Sequence, residues 1–205
     1  MDKILKVKGF GEVAVKPEEI AVCLTISKVD KNIQSAISGV ELEKRTVIKD
    51  ALSVGLKKEN IIFSGYNVRQ EYEYVQNLRK YRGFKVTEIV EIKFDFDTNL
   101  LGNLIQTISS HIAPVLSVYF LADRKNYEDL LLEKAVKDAE SKAKILAKAS
   151  KTKLKGIKNI FYGVNDVATV SYRQTEGALR SASFNDMSVD DIEFSESVVV
   201  EWEIE

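Results

Sequence analysis

One cysteine, one histidine and two prolines in 205 residues exclude a good deal of chemistry. Cys23 has no partner for an intramolecular disulfide, a Cys-based zinc cluster or a CxxC redox pair. His111, alone, removes the Ser-His-Asp arrangement and the usual zinc sites. An enzyme built on this chain would have to use carboxylates, Lys or Tyr, and no cofactor or metal set is expected. With 30 basic against 31 acidic residues the net charge is -1, so there is no global field to gather nucleic acid or anionic lipid. No apolar run approaches the roughly 18 to 20 residues of a membrane span. The start, Met1-Asp2-Lys3, runs directly into strand-like sequence without an export signal. The expectation is therefore cytoplasmic for the chain as written, and periplasmic or cell-surface for a chain from which a leader has been trimmed. With Pro17 and Pro114 as the only prolines, and no low-complexity tract or composition break, we expect one domain over residues 1–205. Residues 165–191 form a loop or arm inserted before its last strand.

What the chain does have is a strongly periodic segment, Tyr127 to Ser150, with Ala135, Ala139, Ala143 and Ala147 spaced four apart. Such a column lies along one face of an α-helix, and Leu131, Leu132, Val136 and Leu146 widen it into an apolar stripe. Opposite it, Glu133 precedes Lys137, Asp138 precedes Lys142 and Glu140 precedes Lys144, each by four residues, as a solvated helix face prefers. A buried face made mostly of methyl groups lets a helix axis approach a sheet closely.

Around this helix the chain alternates strands and helices. Ile4 to Val15 is a strand with a bulge or bend at Gly9-Phe10-Gly11, turned by Lys16-Pro17-Glu18. From Glu19, Ile20, Val22, Leu24 and Ile26 share one face, and Ala21, Cys23, Thr25 and Ser27 the other. These two segments are expected to pair antiparallel. Asn32 or Asp30 caps a helix to about Leu56, burying Ile33, Ala36, Ile37, Val40, Val47 and Ala51. Lys44 interrupts that stripe and is read as a stem on apolar surface with its ammonium in water. Ile61–Val75 and Phe84–Phe96 make a hairpin joined by the polar stretch 76–83, and Glu88 breaks the apolar face of Val86, Val90, Ile92, Phe94 and Phe96. Thr98 or Asn99 caps a short helix to about Ser110, followed by strands at Pro114–Leu121 and Leu154–Val164. Residues 165–191 follow neither period. Ile192 to Ile204, with Val198, Val200, Trp202 and Ile204 on one face, closes the sheet. The fold class is α+β, with a mixed, mainly antiparallel sheet and three helices packed mostly on one face.

Among candidate functional residues, Glu12 sits between glycines but reads best as a solvated charge, Cys23 as a small inert filler, and His111 as a loop residue bonded to backbone. The strongest patch interleaves aromatic and basic residues from Tyr66 to Phe84, with Arg69, Tyr72, Tyr74, Arg79, Lys80, Tyr81 and Arg82. It suits a solvated hairpin, Tyr being a good strand residue, or a protein interface, for which Tyr72, Tyr74, Arg79, Tyr81, Arg82 and, farther on, Tyr172 are the candidate residues. Single-stranded nucleic acid stacked on the same hairpin is a lesser alternative, because Glu71 and Glu73 dilute the charge.

The stretch Val7-Lys8-Gly9-Phe10-Gly11-Glu12-Val13-Ala14-Val15-Lys16-Pro17-Glu18 resembles the opening of the SIMPL domain family, named for a kinase-associated signalling molecule. Asn60 to Ser64 leading to Tyr72-Glu73-Tyr74, the helix Lys134 to Ala147, and the end Ser195 to Ile204 resemble its later motifs in order and spacing. Two features depart from the family pattern. Family members usually enter through a signal peptide, which is not expected from the sequence as written, and Val189-Asp190-Asp191-Ile192-Glu193 stands where the family has a Pro- and Gly-containing approach to the last strand. The resemblance implies relatives among bacterial periplasmic and outer-surface proteins, one of them an immunogenic protein that forms a ring-like assembly, some with an oxidative-stress association. It carries no catalytic residues.

The expected function is thus a non-enzymatic, self-associating structural or stress-related protein, a homo-oligomer without a membrane span. Self-association is also expected because Ala21, Cys23, Thr25, Ile89 and Val199 would form an uncovered face of apolar or small residues on the sheet. The alternative is a small-molecule binder or enzyme with a pocket under 165–191.

Overall fold

The computed structural model describes residues 3–76, 78–109, 115–163, 173–174 and 189–205. The strands are β1 (Lys3–Val15), β2 (Glu19–Asp30), β3 (Ile61–Val75), β4 (Leu78–Asp95), β5 (Val115–Leu121), β6 (Leu154–Phe161), β7 (Arg173–Gln174) and β8 (Ile192–Ile204). The helices are α1 (Ile33–Ser53), α2 (Thr98–Ser109) and α3 (Glu128–Ala149). The fold is α+β with antiparallel pairing, as expected. The strands are distributed over two sheets, of order β1-β8-β6 and β3-β4-β2-β5-β7, and the chain divides accordingly into two compact units.

The first unit comprises residues up to Lys16, Ala122–Ser171 and Asp190–Glu205. Its sheet has β8 in the middle rather than at a closing edge, with β1 and β6 on either side. Ala135, Ala139 and Ala143 of α3 are buried against Val7, Val198, Val200 and Trp202. Leu131 meets Val15, Ile192 and Phe194 nearby. The alanine column thus does what its spacing predicts, although Leu146, at the rim of the stripe, is exposed. The three acid–base pairs of the opposite face also form: Glu133 with Lys137, Asp138 with Lys142 at 2.5 Å, and Glu140 with Lys144 at 2.6 Å.

Gly9-Phe10-Gly11 is neither a bulge nor a bend. β1 runs through it in unbroken register, Gly9 opposite Val198, Phe10 opposite Ser197 and Gly11 opposite Glu196. The glycines are required by the helix. A Cβ on Gly9 would lie 2.1 Å from the carbonyl oxygen of Ala135, and one on Gly11 2.0 Å from that of Leu131. Strand and helix backbones therefore touch where the strand carries no side chain. α3 also caps the free edge of β1: the Phe10 N–H donates to Asp138 Oδ2 (2.8 Å) and Lys134 Nζ donates to the Glu12 carbonyl (2.9 Å). An edge strand whose backbone groups are taken up by side chains is a poor template for adding another strand.

The expected β1–β2 pairing does not occur. β1 is held by β8 on one side and α3 on the other, while β2 is flanked by β4 and β5. Neither strand has a free edge for the other, and the chain passes from one unit to the next at Lys16–Pro17.

The second unit comprises Pro17–Leu121 and Tyr172–Val189. Ile20, Val22, Leu24 and Ile26 of β2 are fully buried against Val86, Val90 and Ile92 of β4 and the inner faces of α1 and α2. α1 starts where expected, with the Asn32 side chain accepting from the N–H groups of Gln34 (2.8 Å) and Ser35 (3.3 Å). It ends at Gly55 (φ 98°), with Leu56 N–H bonded to the Ala51 carbonyl and Gly55 N–H to that of Leu52, the double bond pattern of a Schellman cap. Ile33, at the rim of its stripe, is exposed. α2 is capped by Asp97 rather than Thr98 or Asn99, since its carboxylate accepts from Asn99 N–H (2.9 Å) and Leu100 N–H (3.0 Å). Of the residues expected to share one uncovered face, Cys23, Thr25 and Ile89 do so, Thr25 standing opposite Ile89, whereas Ala21 is buried and Val199 lies in the other sheet. His111, Tyr172 and most of 165–191, and with them the pocket expected beneath that segment, lie outside the described residues.

Candidate functional site

β2 and β4 pair from Glu19–Asp95 to Asp30–Phe84, where β2 stops. β3 and β4 run on with each other as a two-stranded ribbon, with Tyr72 opposite Tyr81, Tyr74 opposite Arg79 and Val75 opposite Leu78. The polar stretch 76–83, expected to be the connector, is thus mostly strand. The reason is cross-strand: Tyr72, Tyr74, Arg79 and Tyr81 have neighbours worth pairing with, so the ladder runs out as far as Val75 opposite Leu78, and Gln76 beyond it sits at φ 50°. Gly83 marks the root of the ribbon, where a Cβ would lie 2.3 Å from the Asp30 carbonyl oxygen.

Alternation places Tyr72, Tyr74, Arg79 and Tyr81 on one face of the ribbon. The Arg79 guanidinium lies 3.8 Å from the centroid of the Tyr72 ring, and Tyr72 meets Tyr81 edge-on at 5.5 Å. Tyr81 in turn meets Phe84 at 6.1 Å, and the Tyr72 hydroxyl donates to Gln70 Oε1 (2.8 Å). Tyr74 is 76% exposed. Four of the candidate interface residues are therefore brought together. Arg82 is set apart: it lies at the Glu71/Tyr72 register shift and pairs with Glu73 at 3.5 Å. Glu71 is likewise matched by Arg69 at 3.4 Å. The acids that dilute the patch are neutralised locally, leaving an aromatic face with Arg79 as its cation.

Two further polar clusters occupy the buried sides of the sheets. In the second unit Glu88, 5% exposed, accepts from Lys44 Nζ at 3.0 Å. The same ammonium stands 3.5 Å from Glu41 Oε1 and 4.4 Å from the centroid of Phe63. Burial draws the Lys44 pKa down, but its bonds and charge attraction to Glu88 and Glu41 outweigh this and leave it raised above the ordinary value. Lys44 is thus not a stem with its head in water, and it is a fully charged anchor rather than an amine nucleophile. In the first unit Glu196 is buried in phase with Phe194 and Val198, and Arg124 bonds it at 2.7 Å and the Ser195 carbonyl at 2.9 Å. Tyr162 donates to Glu128 Oε1 (3.2 Å), and its hydroxyl pKa is raised by burial first and by Glu128 and Glu196 after it. Neither Glu196 nor Arg124 stands out in the sequence reading. The signal was available, since Glu196 is the one break in the inward alternation of Ile192, Phe194, Val198, Val200 and Trp202.

Of the remaining candidates, Glu12 is exposed on the outer face of β1. Cys23 is half-buried, and burial, reinforced by Glu91 and opposed by Lys93, pushes its thiol pKa up, away from thiolate reactivity. Among the described residues no helix is long and apolar enough to cross a membrane.

Residues 5–202, spanning both units, match the model of the SIMPL family, described as a protein of unknown function (DUF541). The chain belongs to the SIMPL family. No curated protein matches it. Within this SIMPL chain the Gly9-Phe10-Gly11 motif and the alanine helix are two halves of one packing contact. The aromatic ribbon presents Tyr74 at 76% and Tyr81 at 41% exposure.

Proposed function

We propose that this SIMPL protein is a non-enzymatic structural protein that associates with copies of itself through the aromatic face of the β3–β4 ribbon. One observation carries the reading. Tyr72, Tyr74, Arg79 and Tyr81 lie on one side of a two-stranded projection that β2 no longer accompanies; Tyr74, Arg79 and Tyr81 are exposed, and the half-buried Tyr72 holds Arg79 and Tyr81 by a cation and a ring contact. Tyr and Arg are the residue types that concentrate binding energy at interfaces. Side chains already fixed by ring and cation contacts lose little entropy on docking. A contact repeated between identical copies closes into a symmetric assembly or continues as a filament.

Light scattering behind a sizing column, over a range of concentrations, tests the reading: a defined oligomer supports it and a persistent monomer refutes it. Single-stranded nucleic acid is the competing occupant of the same face. Saturable binding of a labelled oligonucleotide by a monomeric chain would favour it. The stress-related setting implied by the resemblance belongs to this proposal as well, and peroxide sensitivity of cells lacking the gene tests that part.

A further inference from the structure

Glu88 stands in the buried row of β4, between Val86 and Val90, both fully buried. Its Oε1 is served by Lys44, and the Lys44 ammonium is also engaged by Glu41 and the Phe63 ring. Its Oε2 is buried with no hydrogen-bond donor among the described residues. An ionised carboxylate offers about four acceptor positions on its two oxygens, and leaving one oxygen dry costs more than an ordinary hydrogen bond contributes. Directly across the ladder the partner strand is irregular. Ser64 pairs with Ile89 and Asn67 with Thr87, so Gly65 and Tyr66 together face Glu88, with Gly65 at φ 67°. Such a bulge leaves its extra residue off the ladder.

The residue that carries the unmatched acceptor therefore occupies the ladder position facing the Gly65–Tyr66 bulge. We infer that Glu88 Oε2 and the Gly65–Tyr66 bulge hold one internal water molecule, which donates to the carboxylate and bridges to the bulged backbone. Buried waters sit where about three otherwise unsatisfied polar groups converge, and this one sits at a bulge on the strand that goes on to form the aromatic ribbon. A bulge bends its strand and increases its twist. The hydrated Glu88–Lys44 pair is thus an anchor that sets the direction of β3 before it leaves the sheet. The inference does not depend on what the ribbon binds.

The test uses the wild-type chain, so no folding defect intervenes. A crystal structure that resolves internal solvent should show one water within hydrogen-bond distance of Glu88 Oε2 and of a backbone group of Gly65 or Tyr66. In solution, water-to-amide NOE transfer of the sign expected for a long-lived water should appear at the amides of residues 65–67. A protein donor on Oε2, or a dry carboxylate with no such transfer, would overturn the inference.

Discussion

Replacing Gly11 or Gly9 by alanine adds a single methyl group, and the structure sets its cost. The new Cβ would stand 2.0 Å from the Leu131 carbonyl oxygen at position 11, and 2.1 Å from that of Ala135 and 2.6 Å from the Ala139 nitrogen at position 9. These are backbone atoms inside a regular helix and cannot rotate away. Restoring an ordinary carbon–oxygen contact of about 3.3 Å requires α3 to retreat by more than about 1 Å. A gap of that size forfeits roughly a quarter to a half of the dispersion attraction between the surfaces that part. Those surfaces include Ala135, Ala139, Ala143, Val198, Val200 and Trp202. Overpacked cores lose about 1 to 3 kcal/mol, and occasionally more. An unyielding backbone clash belongs at the upper end, about 3 kcal/mol. Removing a glycine from the unfolded chain returns about 0.4 to 1 kcal/mol, so the net loss is about 2 to 3 kcal/mol. Gly156→Ala is the control, because a Cβ there meets nothing within 4 Å, and it should be neutral or slightly stabilising. Trp202, the one tryptophan, is buried beside α3, so its fluorescence in urea reports this unit. With a slope of about 2 kcal/mol/M the midpoint should fall by about 1 M or more. Midpoints for Gly9→Ala and Gly11→Ala equal to that of Gly156→Ala would refute the close-approach argument.

α3 ends in a Schellman pattern like that of α1, Thr152 N–H to the Ala147 carbonyl and Lys151 N–H to that of Lys148, but Lys151 occupies the left-handed position at φ 57°. Lys151→Gly should raise stability by about 1 kcal/mol, read as a higher denaturation midpoint. Lys44→Met strands the Glu88 carboxylate and should cost about 3 kcal/mol, whereas the double change Lys44→Met with Glu88→Leu should recover most of the loss in a double-mutant cycle. The raised Lys44 pKa means that its contribution is fully present below the ordinary lysine value of 10.5 and is lost as pH climbs through the higher folded value. Asp138 behaves in the opposite sense. Its pKa is lowered from 3.8 by Lys142 first and by the Phe10 N–H second, so its contribution is present above that value and is lost as pH falls through the folded one. The melting-temperature gap between wild type and Asp138→Asn should therefore close in acid, and a gap that persists there would contradict the assignment.

Local periodicity made α3, its alanine column and its acid–base pairs legible, because every residue that decides them lies within one or two turns. The same holds for the Asn32 cap and the buried row of β2. Strand partners were not legible. β1 finds β8 at the other end of the chain, and alternation says which face is buried but not which edge is taken. Gly9 and Gly11 looked like a bend because the atoms that demand them belong to α3, more than a hundred residues away. Lys44 and Glu88 were each visible as an interruption of an apolar row, but only the tertiary fold makes each the explanation of the other. The aromatic ribbon was the most legible part of the candidate site, since its strands are neighbours in sequence. Its turn is shorter than the polar stretch suggests because the cross-strand pairs of Arg79 and Tyr81 carry more weight than the polarity of the stretch.

The proposal that the ribbon face joins copies of the chain is tested most directly by sedimentation equilibrium of the wild type beside a Tyr74→Ser/Arg79→Ser variant. These two residues face each other across the ribbon and take no part in the core, so the melting temperature of the variant should stay within about 2 to 4 °C of wild type. An oligomer for the wild type and a monomer for the folded variant is the predicted result. Equal masses for the two would contradict the account.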